Sequence, residues 1–404
     1  MSWIVFIVTA LTVAGEDVPG GALQLNLGSE QLVQSSGTEI RVPGFSVPSF
    51  VDWNNDGLND LVVGQGSGGN PGHVRVYLNI GTQEYPQFSD FFYVQSGGSD
   101  LTFTGGGCLG CFPRVVYWDA DDRKDLLVGQ ADGTVMIFLN TGTDGDPAFE
   151  AGQFILVGAA GVYLDVGIRA TPTLVDWNND YMKDLVIGEV NGRILIYLNC
   201  GCDGGIPPSF CHADPSGIFV QEDDRDLLVP PGRSSPVIMD LDGDGKKDIL
   251  TGNKEGQLLF YSNVGTDETP VFSGFSLVDA NGVPIDQPGE LRSRLFVCDW
   301  TGDGYLDVLV GFGDGRLHLY QSVGQPGDIN KDYRVDFTDL ELLVYCLCEA
   351  DCDQWDNLDL TGDAKVDYDD LVFLLAHWLQ DSRIETQLSP ENAEQPAFLS
   401  SGQG

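Results

Sequence analysis

The chain has 404 residues, a formal net charge of −41 and 42% hydrophobic residues. A chain of this length can bury a large core and is too long for one small domain. Its 61 acidic residues against 20 basic ones argue against unaided binding to nucleic acid phosphates or to an anionic membrane surface, and so large an excess of carboxylates requires a cation to offset their repulsion.

The first element in the chain is an apolar run over residues 3–13, ended by the small residues Ala14 and Gly15. Its length is typical of a signal peptide and too short to span a bilayer. No Lys or Arg precedes the run, so an uncleaved buried strand is the alternative. We predict a signal peptide over residues 1–15, a mature chain without a membrane span, and a secreted or cell-surface location.

One segment then recurs five times, and its acidic loops start at intervals of 65, 59, 64 and 59 residues. A period this long and this regular indicates a repeat architecture. In each unit an apolar strand leads into the acidic loop, a buried strand ends at glycine, a turn follows, and a closing strand alternates apolar and other residues. With one more strand in each connecting stretch, the units predict an all-β, five-bladed β-propeller of four-stranded blades over residues 22–324. We expect the ring to close at Gln321 against an N-terminal strand near residues 23–27.

Oxygen-bearing side chains stand at positions 1, 3, 5 and 9 of the acidic loops, the pattern with which a tight loop surrounds Ca²⁺, a cation that takes oxygen ligands. Loop 2 departs from this pattern with Tyr117 at position 1, and loop 5 with Thr301 at position 3, so we expect their sites to be weaker or empty. The alternative is that these are solvated turn residues. The predicted metal ligands of the propeller are Asp52, Asn54, Asp56, Asp60, Asp119, Asp121, Asp125, Asp176, Asn178, Asp180, Asp184, Asp240, Asp242, Asp244, Asp248, Asp299, Asp303 and Asp307.

These loops and strands resemble the FG-GAP/VCBS repeats of integrin-like and bacterial extracellular propellers. The resemblance implies that the calcium loops are structural. It also implies a binding or adhesion module, although a minority of these propellers are attached to, or serve as, polysaccharide-degrading enzymes.

Two loop-helix units follow the propeller. Each fits a twelve-residue calcium loop that leads into a helix with an apolar stripe. Their predicted ligands are Asp328, Asn330, Asp332, Asp336, Asp339, Asp359, Thr361, Asp363, Asp367 and Asp370. The pair is similar to a type I dockerin over residues 327–380, which implies a small α-helical domain and a cohesin-like partner. Tyr333 and Ala364 replace the usual glycine at position 6, and we expect the tail over residues 381–404 to be disordered.

Nine cysteines favour an oxidising compartment. We predict local disulfides between Cys108 and Cys111, between Cys200 or Cys202 and Cys211, and between two of Cys346, Cys348 and Cys352. Cys298 lies inside an apolar strand, where a free buried thiol is expected.

Two functions remain open after this reading. The first is a non-catalytic binding or adhesion propeller for a polysaccharide or a cell-surface protein. The second is a polysaccharide-degrading enzyme or an accessory subunit, for which the acids not explained by calcium are Glu189, Glu222, Asp223, Asp224 and Asp226. A solvated loop is the favoured explanation of the last four. Recurrent aromatic residues favour packing between repeats over sugar stacking. The non-repeated loops over residues 66–72, 96–111 and 200–231 are the candidates for ligand contact.

Overall fold

The computed structural model describes residues 23, 25–67, 70–104, 110–201, 204–211, 215–287, 289, 292–331, 335–348, 358–363 and 365–378. The chain divides into two compact units between Ser322 and Val323. Among the described residues, no helix is both long and apolar enough to cross a membrane. The predicted signal peptide and the predicted disordered tail lie outside the described residues.

The first unit is a five-bladed β-propeller, as the repeats predict. Each blade is an antiparallel sheet of four strands. The strands of blade 1 are Val47–Val51, Asp60–Ser67, Asn70–Tyr77 and Phe92–Tyr93. Those of blade 2 are Cys111–Val116, Asp125–Gln130, Val135–Phe138 and Gln153–Phe154. Those of blade 3 are Thr171–Val175, Asp184–Gly188, Ile194–Tyr197 and Ile218–Phe219. Those of blade 4 are Ser235–Met239, Asp248–Gly252, Leu258–Tyr261 and Ser276–Leu277.

Blade 5 combines the two ends of the propeller. Its strands are Arg294–Cys298, Asp307–Gly311, Leu317–Tyr320 and, as the fourth, Gln31–Leu32. Gln31 pairs with Leu319 and Leu32 with His318 in antiparallel register. The predicted closing segment near residues 23–27 is confirmed in part. Its end does lie beside Gln321, since the Gly28 backbone N donates to the Gln321 carbonyl oxygen at 2.7 Å, but the paired strand begins later, at Gln31. Leu25 and Leu27 pack into the core between blades 4 and 5, and Leu27 forms isolated bridges with Ser322 and Ala280.

The first strand of each blade is its inner strand. The inner strands of neighbouring blades contact one another, and the inner strand of blade 5 contacts that of blade 1, so the ring is closed. Five hydrophobic clusters fill the interfaces between neighbouring blades. Blades 3 and 4 approach each other so closely at Gly188, the last residue of the second strand of blade 3, that a side chain there would clash. A Cβ at Gly188 would lie 2.6 Å from the Ser234 carbonyl oxygen and 2.6 Å from Pro236 Cδ of the next blade.

A short hairpin accompanies each outer strand, a feature that the sequence analysis missed. The five hairpins are Gln34–Ser35 with Thr38–Glu39, Gln95–Ser96 with Ser99–Asp100, Leu156–Val157 with Val162–Tyr163, Gln221–Glu222 with Arg225–Asp226, and Asp279–Ala280 with Val283–Pro284. Four of them turn through two residues with positive φ. Asp223 and Asp224, with φ of 47° and 63°, are such a turn pair. The acidic run at residues 222–226 is thus one copy of a repeated structural hairpin.

The second unit contains two helices that contact each other, Phe337–Cys348 and Tyr368–Trp378. Leu343 and Leu374 from the predicted apolar stripes are fully buried in its core, together with Ile329 and Leu358. Leu375, the neighbour of Leu374 on the second helix, is 39% exposed.

Cysteine pairing follows the predictions in part. Cys200 is bonded to Cys211, one of the two alternatives. The predicted bond between Cys108 and Cys111 is wrong, because Cys111 opens the inner strand of blade 2 as a buried free thiol that contacts the His73 carbonyl oxygen at 3.2 Å. Cys298 is free, as predicted, and half-buried. Cys346 is disulfide-bonded, whereas Cys108, Cys202 and Cys352 lie outside the described residues.

Candidate metal centres

Each acidic loop joins the inner strand of its blade to the second strand, and its backbone is tightly coiled. Position 4 has a left-handed backbone at Asn55, Asn179, Gly243 and Gly302, with φ between 59° and 72°. Position 6 is left-handed in all five loops. Three of these positions hold Gly57, Gly245 and Gly304, and loop 2 has Asp122 there. Loop 3 has Tyr181 with φ of 66°, an uncommon conformation for a bulky residue.

The aspartate at position 9 fastens each loop. In loop 3, Asp184 Oδ2 accepts a hydrogen bond from the Trp177 backbone N at 2.9 Å, and Asp184 Oδ1 accepts one from the Asn199 backbone N at 2.7 Å. The same pair of bonds recurs at the other four position 9 residues, Asp60, Asp125, Asp248 and Asp307. Each of these carboxylates therefore holds the start of its loop against the end of the third strand.

Burial makes the charged form of these carboxylates costly. Burial raises the pKa of Asp60, Asp184 and Asp307 to about 6, and the carboxylates at positions 1 and 5 of the same loops raise it further. The pKa of Asp248 is raised to about 7 by burial and then by Asp242 and Asp244. The backbone hydrogen bonds act in the opposite direction. A cation held among these groups would offset the repulsion.

Loops 3 and 4 each bring three carboxylates together. Oxygens of Asp176, Asp180 and Asp184 lie within 4.8 Å of one another, as do those of the second trio, Asp240, Asp242 and Asp244. Oxygen ligands on opposite sides of Ca²⁺ are about 4.6–5.2 Å apart, twice the usual Ca–O distance. The donor type and the spacing of both trios therefore fit this cation.

Backbone N–H groups orient the remaining oxygens of these loops. In loop 3, Asp176 accepts hydrogen bonds from the backbone N of Asp180 and of Tyr181, at 3.2 and 3.0 Å. Loop 1 repeats this pattern, with Asp52 accepting from Asp56 N at 3.2 Å and from Gly57 N at 3.0 Å. Asn54 and Asn178 each donate to the position 5 aspartate of their own loop. Loop 1 thus has the same internal scaffold as loop 3.

Loops 2 and 5 differ from the others, at the residues where the sequence departs from the pattern. Tyr117 in loop 2 is 58% exposed, and Asp121 is paired with Arg123. Asp119 accepts from the Asp121 backbone N. In loop 5, Asp299 accepts three backbone N–H bonds and Asp303 accepts one from Tyr305. Within the described residues, only loops 3 and 4 gather three carboxylates, so loop 1 shares this lack with loops 2 and 5 despite its scaffold.

Two lysines at position 8 link loops across blade interfaces, which sequence reasoning missed. Lys124 Nζ donates to the Asp52 carbonyl oxygen at 2.5 Å. Lys247 Nζ lies 2.8 Å from Asp267 Oδ2 and contacts Asn179 of loop 3. The available signal was the recurrence of lysine at position 8, since loop 3 has Lys183 there.

Aromatic residues at position 2 serve packing, as predicted. Trp53, Trp118, Trp177 and Trp300 are buried. Each contacts a phenylalanine of the next blade, with ring centroids 5.6–6.5 Å apart: Phe149, Phe210, Phe272 and Phe88, respectively. The loops are therefore anchored to the interblade cores.

In the second unit, position 12 of each loop has the fastening role. Asp339 accepts hydrogen bonds from the backbone N of Ile329 and Asp336 at 2.6 and 2.8 Å. Asp370 does the same for Thr361 and Asp367 at 3.0 and 2.7 Å. Position 9 caps the following helix, since Asp336 accepts from Thr338 N and Asp367 from Asp369 N. Asp328, Asn330, Asp359 and Asp363 lie in the same two loops, and Asp332 lies outside the described residues.

The acids considered for catalysis have structural contacts. Glu189 is buried and accepts from the backbone N of Asn191 and Arg193, which closes the turn after the second strand of blade 3. Glu222 accepts from the Gly274 backbone N at 2.9 Å. Asp226 accepts from Gln221 across its hairpin. Of the loops proposed for ligand contact, residues 66–72 largely extend the second and third strands of blade 1.

Comparisons with known proteins agree with this architecture. Residues 240–310 match the family model of the FG-GAP-like repeat, from the fourth acidic loop into the second strand of blade 5. Together with the five-bladed ring, this match supports the FG-GAP part of the resemblance. No curated protein matches the chain.

Two solved structures also align with this chain. The first is the Photorhabdus luminescens Tc holotoxin pore, at 13% identity and a TM-score of 0.34, over 74% of this chain and 15% of that chain. The second is BBS1N in complex with ARL6DN, soaked with mercury, at 11% identity and a TM-score of 0.34, over 74% of this chain and 97% of that chain.

Proposed function

We propose that this protein is a secreted calcium-binding β-propeller that acts as a non-catalytic binding or adhesion module. Its ligand would be a polysaccharide or a cell-surface protein. The second unit would tether it to an extracellular assembly as a dockerin-like domain that recognises a cohesin-like partner. The observation that carries the calcium assignment is the pair of carboxylate trios in loops 3 and 4, each within 4.8 Å.

The role of the metal would be structural. The loops lie at the ends of the inner strands, and their aromatic residues reach the cores between blades. A cation bound by Asp176, Asp180 and Asp184 would neutralise carboxylates that the fold holds together. Because it would bind the native state only, it would add stability by mass action. The binding surface would then be presented on a rigid ring.

Thermal unfolding of the full chain tests this proposal. We expect calcium at about 100 times the dissociation constant to add about 2.7 kcal/mol per site to the stability of the unit that contains it. Excess chelator should lower the unfolding temperature of both units. Magnesium at the same concentration is the control and should replace calcium poorly, because these loops offer more oxygens than Mg²⁺ accepts without its waters. An unchanged melt in chelator would contradict the calcium assignment.

The tether is tested separately. Calorimetric titration of the full chain with a type I cohesin domain should give calcium-dependent binding that is lost when Asp339 and Asp370 are both replaced by Ala. Absence of binding to a panel of cohesin domains would overturn the tether and leave the propeller assignment intact.

A further inference from the structure

Several arginines meet at the ends of the inner strands that are opposite to the acidic loops. Arg169, Arg233 and Arg292 each stand seven residues before loop position 1, in blades 3, 4 and 5. Arg294 begins the inner strand of blade 5. Burial and then repulsion from neighbouring arginines lower the pKa of Arg169 and of Arg294, and Arg233 and Arg292 are among the charges that act on both.

Two phenylalanines place this group on the axis of the propeller. The Phe112 ring of blade 2 lies 5.2 Å from the Arg169 guanidinium and 5.6 Å from that of Arg294. The Phe45 ring, just before the inner strand of blade 1, lies 4.4 Å from Arg292 and 4.5 Å from Arg294. Arg169 also donates to the Ser234 carbonyl oxygen of blade 4, so residues of all five blades meet in this region, and blades arranged in a ring meet only at the axis. We name Arg169, Arg233, Arg292 and Arg294 the axial arginine cluster.

The two inner members of the cluster are buried charges. Arg169 is 0% exposed and Arg294 is 1% exposed. Burial lowers the pKa of Arg169 to about 9 and that of Arg294 well below its usual value. Glu189 is the carboxylate that acts on Arg169, and both of its oxygens already accept hydrogen bonds from its own turn. Two buried like charges such as those of Arg169 and Arg294 are unfavourable unless an anion joins them.

Part of the hydrogen-bonding capacity of these two side chains is unused. Arg169 donates to the Ser234 carbonyl oxygen at 2.8 Å and to Ser235 Oγ at 2.9 Å, and Arg294 Nη1 donates to the Arg292 carbonyl oxygen at 2.9 Å. Among the described residues, Arg169 Nε, Arg294 Nε and Arg294 Nη2 have no acceptor. Nε and Nη2 form one edge of a guanidinium, and this edge binds two oxygens of an oxyanion side by side.

Backbone conformation gives independent support. Arg169, Arg233 and Arg292 have φ of 65°, 68° and 83°, in the region that favours glycine. Blade 2 has glycine at the equivalent position, Gly110, with φ of 74°. Three blades thus carry a long cationic side chain where glycine would relieve the strain, a situation typical of functional sites.

We propose that the axial arginine cluster is a binding site for an oxyanion of the sulfate or carboxylate type, held by the Nε and Nη2 edge of Arg294 and by Nε of Arg169. The anion could be a free ion or the acidic group of a glycan. No residue of the cluster belongs to an acidic loop or to the second unit, so this site goes beyond the proposed function and does not depend on calcium or on the tether.

The test is isothermal titration of the calcium-loaded full chain at constant ionic strength. The probes are sodium sulfate, trigalacturonate and, as the uncharged control, xylotriose. We expect an anion to bind and xylotriose not to bind. Equal affinities for the two anions would identify the free ion as sufficient, whereas at least tenfold tighter trigalacturonate would identify an acidic glycan. Absence of binding by both anions would overturn the proposal.

Variants identify the site. Arg294→Met should weaken anion binding at least tenfold, and Arg294→Lys should do nearly the same because lysine keeps the charge but lacks the two-donor edge. Arg169→Met is the second variant, should Arg294→Met fail to fold. Arg225→Met removes the same charge from an exposed hairpin strand and should change affinity less than twofold. Anion binding that survives in both Arg169→Met and Arg294→Lys would overturn the assignment.

One further variant tests whether a carboxylate of the same chain occupies the proposed anion site. Glu290 lies two residues before Arg292 in the sequence and outside the described residues. If the chain supplied its own carboxylate to the cluster, Glu290→Gln would strengthen sulfate binding tenfold or more, and the proposal would be wrong. We expect a change of less than twofold.

Discussion

The acidic loops at one end of the inner strands and the arginine cluster at the other differ in how they are built. The loops repeat five times with nearly the same residues, a left-handed position 6 and the same pair of hydrogen bonds to the buried position 9 aspartate. On the axis the blades fall into two groups: blades 1 and 2 contribute Phe45 and Phe112, whereas blades 3, 4 and 5 contribute the axial arginine cluster. Residues that recur in all five blades are therefore those that each blade needs in order to fold. Residues that are not shared by all five blades form a site that the assembled ring contains once.

The substitution with the largest expected effect tests whether an aspartate of the acidic loops acts mainly in folding or mainly in metal binding. Asp184→Ala leaves the buried N–H groups of Trp177 and Asn199 without their acceptor. We expect it to lower the free energy of unfolding by about 3–5 kcal/mol, with or without calcium. Asp180→Ala, the matched change at position 5, should cost about 1 kcal/mol or less in chelator and more in calcium. Urea unfolding under both conditions measures this, and a loss in Asp184→Ala confined to calcium would show that position 9 is chiefly a metal ligand.

A second change perturbs the arginine end. Gly188→Ala places a methyl group 2.6 Å from the Ser234 carbonyl oxygen, which also accepts a hydrogen bond from Arg169. We expect a loss of about 1–3 kcal/mol in urea unfolding, as for other overpacked interfaces. Gly145→Ala is the control, because its Cβ would meet no atom closer than 3.4 Å. Equal effects of the two changes would show that the blades can separate at Gly188 without cost.

A third change makes loop 3 more like its neighbours. Tyr181 is 97% exposed, and its left-handed backbone costs about 1–3 kcal/mol. Tyr181→Gly removes this strain and adds about 0.5–1 kcal/mol of chain entropy cost, so we expect a net gain in stability of about 1 kcal/mol. Tyr181→Phe keeps the strain and should leave the unfolding midpoint unchanged. A destabilised glycine variant would mean that the tyrosine side chain has a stabilising contact.

The smallest expected effect concerns ring closure. Buried His318 pairs with Glu30 beside the closing strand and lies 3.5 Å from Asp314. Burial opposes its charged form, but the nearby carboxylates of Asp314 and Glu30 raise its pKa above the ordinary value. A raised folded-state pKa stabilises the fold below the unfolded-state pKa of about 6.5, and this contribution is lost as pH rises through the folded-state pKa.

The stability difference between the wild type and His318→Gln should therefore be larger at about pH 5 than at about pH 9, by about 1 kcal/mol or less. Urea unfolding at the two pH values measures it. Glu30→Gln should reduce this pH dependence. A difference that grows towards high pH would contradict the ion pair.

The sequence predicts the scaffold well and the axial site poorly, for physical reasons. Each loop must satisfy the same local geometry, so Asp52, Asp176 and Asp240 appear in register and reveal the blades. The closing strand was placed too early because Leu25 and Leu27 are apolar, whereas the strand that actually pairs is Gln31–Leu32. Pairing to a sheet edge uses the backbone, which leaves little trace in side-chain pattern.

The axial arginine cluster is hard to see because its members are scattered over residues 169–294 and because blades 1 and 2 lack the arginine. Only an alignment of the five units brings Arg169, Arg233 and Arg292 into one column. Even that alignment does not show the contacts with Phe45 and Phe112, which depend on how five separate strands converge.

The pairing of Gln31 with Leu319 also has a kinetic consequence. A polypeptide that emerges from the ribosome or a translocation channel with its N terminus first cannot complete blade 5 until almost the entire propeller has followed. Until then Gln31–Leu32 has no sheet to pair with. If this strand does not pair at once, the third strand of blade 5 has an unpaired edge that can bind another chain. Ring closure over so long a sequence separation is a slow step. The yield of folded protein should therefore depend more on how well the incomplete propeller is protected from aggregation during synthesis than on the stability of the closed propeller.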